Sequence, residues 1–198
     1  NGITSRLPWL LLWVFASTLI LLFLFTGSIL LPIKAFLLNV VTLAATLGFL
    51  CWIFLDGNLR WLLGDFQLTG SIDASQFILI AVVAFGLSMD YELFLLSRIK
   101  ELHDQGYSTE ESVALGLQRS GRIITAAALI LAANFLPFVT SGVTSIKMLG
   151  LGLAFAILLD ATIVRAFLVP SLMKLFGAAN WWAPKWMKLV FAKAGLDH

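Results

Sequence analysis

Charge is what this sequence has least of. Of its 198 residues only 12% are Asp, Glu, Lys or Arg, against about 25% in soluble domains. Hydrophobic residues make up 60%, and the mean hydropathy is +0.97. That balance excludes an ordinary soluble domain and implies an integral membrane protein. A net charge of +2 is too small to suggest a nucleic-acid partner. Cys51 is the single cysteine, so there is no disulfide framework and no thiol-rich metal site. His103 and His198 are too distant in sequence to form a local ligand pair, and no metal or cofactor is expected. No periodic repeat or low-complexity tract is visible. The first apolar run lacks a basic leader and a small-residue cleavage site, so it reads as a span and not a signal peptide.

Long apolar runs are what the sequence has in plenty. Residues 7–25, 35–55, 77–97, 123–140 and 148–169 are each long enough to cross a bilayer as a helix. They predict an all-α membrane protein, a five-helix transmembrane bundle over residues 1–176. Pro8 suits the first turn of the opening helix, and Thr26-Gly27-Ser28 with Pro32 turns the chain back. Trp9, Trp13 and Trp52 would form part of an aromatic belt. The segment from Asp56 to Ser75, with Trp61-Leu62-Leu63, reads as an interfacial loop holding one short helix. Ser108 and Glu111 form a capping box opening a helix to about Arg119. Val113, Ala114 and Leu117 give this helix an apolar stripe, as expected of a linker against the bundle floor. Over residues 177–198, Trp181, Trp182, Trp186, Leu189 and Val190 interleave with Lys185, Lys188 and Lys193, a pattern suited to an amphipathic tail among lipid headgroups.

Basic residues set the orientation. With the N-terminus outside, Lys34, Arg98, Lys100, Arg119, Arg122, Lys174, Lys185, Lys188 and Lys193 fall inside, and only Arg6, Arg60 and Lys147 fall outside. This positive-inside pattern predicts a multi-pass protein of the cell membrane with a cytoplasmic C-terminus. An odd number of spans after an external start, and the missing initiator Met, lead to the expectation of a piece of a longer chain.

Within the spans the scarce polar residues define the candidate site. From Phe77 to Ser97 the only ionisable groups are Asp90, Tyr91 and Glu92. A carboxylate near the middle of a membrane helix costs about 2.5–3.5 kcal/mol on insertion scales. Asp160 occupies a matching depth in the last span, at the end of a small-residue row, Gly152 and Ala156, that lets a neighbouring helix approach closely. Both aspartates are therefore expected to face the bundle. At 100° per residue, Tyr91 flanks Asp90, while Glu92 points to the opposite side, nearer the cytoplasm and open to hydration. Arg165 lies about 140° around from Asp160, a poor geometry for a simple same-helix ion pair, and could instead snorkel toward the headgroups; the bland reading of Asp160 is an acid whose only business is Arg165 or a backbone carbonyl. Asn134 adds an amide and Pro137 a kink to the fourth helix. A carboxyl taken out of water can load and release a proton near physiological pH, and a phenol can relay it. These are the parts of a proton-driven transporter; the alternative for each acid is a static, hydrogen-bonded group.

The motif Gly86-Leu87-Ser88-Met89-Asp90-Tyr91-Glu92-Leu93-Phe94-Leu95-Leu96-Ser97-Arg98 resembles the Asp-Tyr helix of MMPL proteins, the mycobacterial membrane protein large family of the resistance-nodulation-division superfamily. Gly121-Arg122-Ile123-Ile124-Thr125-Ala126-Ala127-Ala128, Leu158-Leu159-Asp160-Ala161-Thr162-Ile163-Val164-Arg165, Leu168-Val169-Pro170 and Trp181-Trp182-Ala183-Pro184 agree with it, in order. The resemblance implies the C-terminal half of a twelve-helix exporter of lipids, glycolipids or siderophores, driven by the proton gradient. It implies Asp90 and Tyr91 as one half of a proton relay, with Asp160 and Arg165 beside it. Glu92 and Ser88 are further pathway candidates, expected from their place in the helix to line the cytoplasmic exit. Expected partners are membrane lipids, a hydrophobic cargo, the N-terminal half and the extracytoplasmic porter domains; a homo-oligomer is left open. The protein is not expected to be an enzyme. Two rival classes remain, a non-transporting assembly or sensing subunit and an intramembrane aspartyl protease. The protease reading is disfavoured because Asp90 precedes Tyr91, Asp160 follows Leu159 and no Pro-Ala-Leu occurs.

Overall fold

In lipid the backbone must satisfy its own hydrogen bonds, and apolar runs this long do so as helices. The computed structural model describes residues 2–64, 66 and 73–184. Helices α1 (Gly2–Thr26), α2 (Leu30–Phe54), α3 (Arg60–Leu63), α4 (Ala74–Asp104) and α5 (Thr109–Phe135) come first. A 3-10 turn (Leu136–Thr140), α6 (Thr144–Leu159), a π-helical segment (Asp160–Leu168), α7 (Val169–Phe176) and a final 3-10 turn (Gly177–Trp181) follow. Among the described residues there is no strand. Four stretches, Leu30–Phe54, Ala74–Asp104, Thr109–Thr140 and Thr144–Trp181, are long and apolar enough to cross a membrane, and Leu12–Thr26 adds a shorter apolar one. The chain is an all-α, multi-pass membrane bundle.

The helices run further than their apolar cores. Asp73 caps α4 by accepting from the Ser75 N–H at 2.9 Å. The Ser108–Glu111 capping box is present. The helix it opens does not stop near Arg119 but continues as the fourth span. Gly121 alone is too weak a breaker, costing about 1 kcal/mol against Ala, and no proline follows until Pro137. Pro137 does not kink α5; the helix ends at Phe135, and the proline sits in the first positions of the 3-10 turn, where its ring cannot clash with a preceding turn. Asn134 points outward.

At one end of the bundle, the Gly27 end, the turn after α1, the turn between α4 and α5 and the final 3-10 turn meet. The Ser28 hydroxyl donates to the Asn180 carbonyl. Trp181 donates from Nε1 to Thr109 Oγ1 at 3.1 Å and stacks on His103 at 4.1 Å. The start of the tail is thus docked on the bundle; residues 185–198, with Lys185, Trp186, Lys188, Leu189, Val190 and Lys193, lie outside the described residues. At the opposite, Asn58 end, the buried Lys147 ammonium donates to the Leu63 carbonyl, and Gln76 Nε2 donates to the Ser145 carbonyl at 2.8 Å.

Two apolar cores divide the interior. One, toward the Gly27 end, packs Leu22, Leu31, Leu38, Leu95, Ile99, Val164 and Met173. The other, toward the Asn58 end, packs Leu50, Ile53, Phe54, Ile80, Met148 and Leu153. Close helix approach in the second depends on glycine. A Cβ at Gly152 would stand 2.9 Å from Leu50 Cδ1, and one at Gly150 would stand 2.7 Å from the Phe135 carbonyl oxygen. Outward faces carry large apolar side chains such as Trp13, Val82 and Phe167, an arrangement suited to lipid or to further helices.

Candidate functional site

Between the two cores lies a layer of polar side chains. From α2 come Asn39, Thr42 and Thr46; from α4 come Ser88 and Glu92; from the last span come Asp160 and Arg165, and all seven are buried. Asp90 and Asp160 stand at the same distance from the starts of their helices, Ala74 and Thr144, which lie at the same end.

Asp160 and Arg165 form an ion pair, contrary to the expectation from α-helical geometry. Arg165 Nε donates to Asp160 Oδ2 at 2.9 Å, and Nη2 lies 2.6 Å from the same oxygen. The physical reason is the π-helical segment that begins at Asp160. In a π-helix each turn closes at i+5, so Arg165 comes round onto the face of Asp160 instead of 140° away. Arg165 therefore does not snorkel: it is 2% exposed and Asp160 is 5% exposed. Its Nη2 also donates to the Ser88 carbonyl, and the guanidinium carbon sits 5.2 Å from the centroid of the Tyr91 ring. Such a contact is worth about 0.5–2 kcal/mol. Among the described residues Arg165 Nη1 has no partner.

The two acids of α4 face opposite ways, and the reverse of the expected ones. Glu92 is 4% exposed and belongs to the layer. It is not hydrated at a helix end, because α4 continues to Asp104 and positions 84, 88, 92, 95 and 99 form its inward stripe. Asp90, two residues from both Ser88 and Glu92, falls on the opposite, exposed face, and only Asp160 of the two aspartates faces the interior of this bundle. Tyr91 is half-buried between the two faces.

Sequence reasoning missed Asn39. Its Nδ2 donates to Met89 Sδ at 3.0 Å and reaches Glu92 Oε2 at 3.5 Å, while its Oδ1 has no partner among the described residues. A signal existed: Asn39, Thr42 and Thr46 recur at helical spacing on one face of an otherwise apolar run. Lys34, treated only as an interior-side charge, is also buried; its ammonium donates to Asn180 Oδ1 and lies 4.7 Å from the Phe176 ring centroid. A cavity of about 10 Å³, the size of one water, is walled by Asn39, Thr42, Ser88, Tyr91 and Asp160 among others. Among the described residues no group of His, Cys, Asp and Glu has the makings of a metal site.

The buried ion pair, the matched depth and the Asp-Tyr step can be set beside known proteins. Residues 9–191 match the family model described as the MMPL family. The trehalose monomycolate exporter MmpL3 of Mycobacterium tuberculosis is 46% identical over 199 residues, covering 100% of this chain and 21% of that protein. The mycolic acid-containing lipids exporter MmpL11 of Mycolicibacterium smegmatis is 37% identical over 197 residues, covering 100% of this chain and 20% of its own length. A Mycobacterium tuberculosis protein named heme uptake protein MmpL11 is 37% identical over 198 residues, with the same two shares. The chain thus spans about a fifth of the length of these relatives. Matched along almost all of its length by the family model, and covered end to end by relatives of this identity, the chain belongs to the MMPL family.

Proposed function

We propose that this chain is the C-terminal transmembrane half of a proton-driven exporter of lipids or other hydrophobic small molecules, and that Asp90 is its proton carrier with Tyr91 as relay. The observation that carries the reading is the placement of Asp90. A carboxyl in the middle of a membrane span, exposed on an apolar helix face, needs a partner outside this bundle. An Asp-Tyr pair from an N-terminal half, facing this one, is that partner. Tyr91 joins the exposed acid to the interior, because its ring rests on the guanidinium that Asp160 holds. Loading and unloading Asp90 changes the charge between two halves, and their repacking moves the porter domains.

The Gly27 end is the cytoplasmic one in this reading. Arg98, Lys100, Arg119, Arg122 and Lys174 gather toward it, where α4 ends and α5 begins, in keeping with the positive-inside pattern. The cargo is of the class named for the relatives; two of the three are named for lipids and the third for heme uptake. An aspartyl-protease reading gains nothing from the geometry, since Asp160 is bound to Arg165 and Asp90 looks the other way.

The test is Asp90→Asn in the full-length protein, reconstituted with a pH gradient at matched expression and matched thermal stability. Asparagine keeps size and hydrogen bonding but cannot cycle a proton. Loss of gradient-driven export supports the carrier; export at the normal rate refutes it. A chain that binds its partners and moves nothing under any gradient would instead be an assembly or sensing subunit.

A further inference from the structure

We infer that Glu92 is a second proton-exchanging carboxyl, which passes protons between the polar layer and the Gly27 end of the bundle through a cavity it shares with Lys34. The inference rests on the proton-coupled reading above and adds to it a group and a direction.

Glu92 lies deep in the bundle and the relay does not use it. Among the described residues it has no ion pair, and its one hydrogen bond, from Asn39 Nδ2, is long at 3.5 Å. The charged groups that act on it are Arg165 and Asp160 from the last span, and Arg165 is committed to Asp160 by two short contacts. From α2, Asn39 bonds it and Lys34 shares a cavity wall with it; from α4 itself, Ser88 lies one turn away on the same stripe, with Asp90 turned outward. The helix after the π segment adds only apolar Val169, Leu172 and Met173. A static buried glutamate should be held by a cation or by several donors. Glu92 has neither.

It stands instead between two water-sized cavities. One, of about 10 Å³, is walled by Asn39, Ser88, Tyr91 and Asp160 on the relay side. The other, also about 10 Å³, is walled by Glu92 and Lys34 with Leu31, Leu38, Leu96 and Met173. Asn39 is the door between them: it lines the first and bonds the carboxyl that lines the second, and among the described residues its Oδ1 is left without a partner. A buried orphan oxygen beside a water-sized space, with Thr42, Ser88, Tyr91 and Asp160 also in its wall, is where an ordered water belongs. The exchange is balanced simply. Glu92 in its acid form gives its proton to a water in the cavity it shares with Lys34 and becomes a carboxylate in the field of the Arg165 guanidinium. It regains a proton from a water beside Asn39, while Arg165 keeps its charge throughout.

The experiment uses the full-length protein. Infrared spectra are recorded through a pH titration, with carboxyl-labelled glutamate to identify the band of a protonated glutamic acid. A titrating band that is lost in Glu92→Gln and kept in Asp90→Asn is the expected result; its absence from the native protein overturns the inference, whether or not export is proton-driven. In proteoliposomes, Glu92→Gln is expected to slow gradient-driven export about a hundredfold, the low end of what a positioned proton-transfer group contributes. Glu92→Asp should restore part of that rate with a displaced pH profile. A Glu92→Gln protein that exports like the native one while Asp90→Asn is inactive refutes Glu92 and leaves the relay standing. A normal rate in Asp90→Asn refutes the relay, and the infrared band still decides Glu92.

Discussion

The inner and outer faces of α4 meet opposite surroundings within two residues. Glu92 looks into a layer closed by Asn39, Asp160 and Arg165, sealed between two apolar cores. Asp90 looks out of the bundle along a face that also carries Leu79, Val82 and Gly86. The inner face is satisfied largely from within the chain; the outer one is finished only by something else. On the inner side Asp160 and Arg165 hold each other and contribute to folding, whereas Asp90 on the outer side has no ion pair or hydrogen bond among the described residues and is left for association or transport. That difference can be attacked by mutation.

The largest effect is expected where the inner face is most committed. Arg165→Met leaves Asp160 buried with no counter-ion, a loss of about 3–5 kcal/mol, read as a fall in thermal stability of the full-length protein in detergent. The double substitution Asp160→Leu with Arg165→Met removes both charges and should recover most of that loss, because a buried ion pair contributes little net stability over apolar side chains. If the single variant melts like the native protein, the inner face is not the structural one and the comparison breaks.

Next comes the packing that brings the last span against its neighbours. Gly150→Ala sets a Cβ 2.7 Å from the Phe135 carbonyl oxygen and 3.3 Å from the Phe138 carbonyl carbon. Backbone atoms cannot swing aside as a side-chain end can, so α6 must shift, at about 1–3 kcal/mol. Gly86→Ala, on the outer face of α4 with nothing within 4 Å, should be close to neutral in stability. Comparing the two melting temperatures sharpens the contrast between a face that is filled and one that is open. A smaller loss, about 0.5–2 kcal/mol, is expected from Ser108→Ala, which removes the cap of α5. Its readout is thermal stability together with protease sensitivity at the turn before Thr109.

Hydropathy and turn chemistry made the bundle legible: apolar length marked the spans, and the Ser108–Glu111 pair marked the start of α5. Helix ends were less legible, because nothing in Arg119–Ile123 says whether a capped helix stops or runs on; packing against α4 decides it. The site was half legible. Asp90, Tyr91, Glu92, Asp160 and Arg165 stood out as polar residues in apolar spans. The 100° step placed Asp90 and Glu92 on opposite sides of α4 without deciding which side faces inward, and it failed for Arg165. The π segment shifts Arg165 onto Asp160, and no residue type announces such a segment in advance. Asn39 and Lys34 were less legible for a different reason: a single amide in an apolar run, or a lysine near a span end that can snorkel, fits an exposed position as readily as a buried one.

The smallest effect on stability is expected from Asp90→Asn, and it is the most informative. Asp90 makes no ion pair or hydrogen bond among the described residues, so nothing within this bundle is broken by the change. A loss within about 0.5 kcal/mol is expected, the range of an exposed substitution away from structural features. If the outer face is a meeting surface with a second half, that near-neutral melting must coexist with lost export. Asp160→Asn provides the control, since it should lose stability and export together by stranding Arg165. Should Asp90→Asn prove as destabilising as Asp160→Asn, the outer carboxyl holds the assembled protein together instead of carrying protons through it. Its exposure on α4 would then mark a structural joint, and the proton-carrier role would have to move to the inner face.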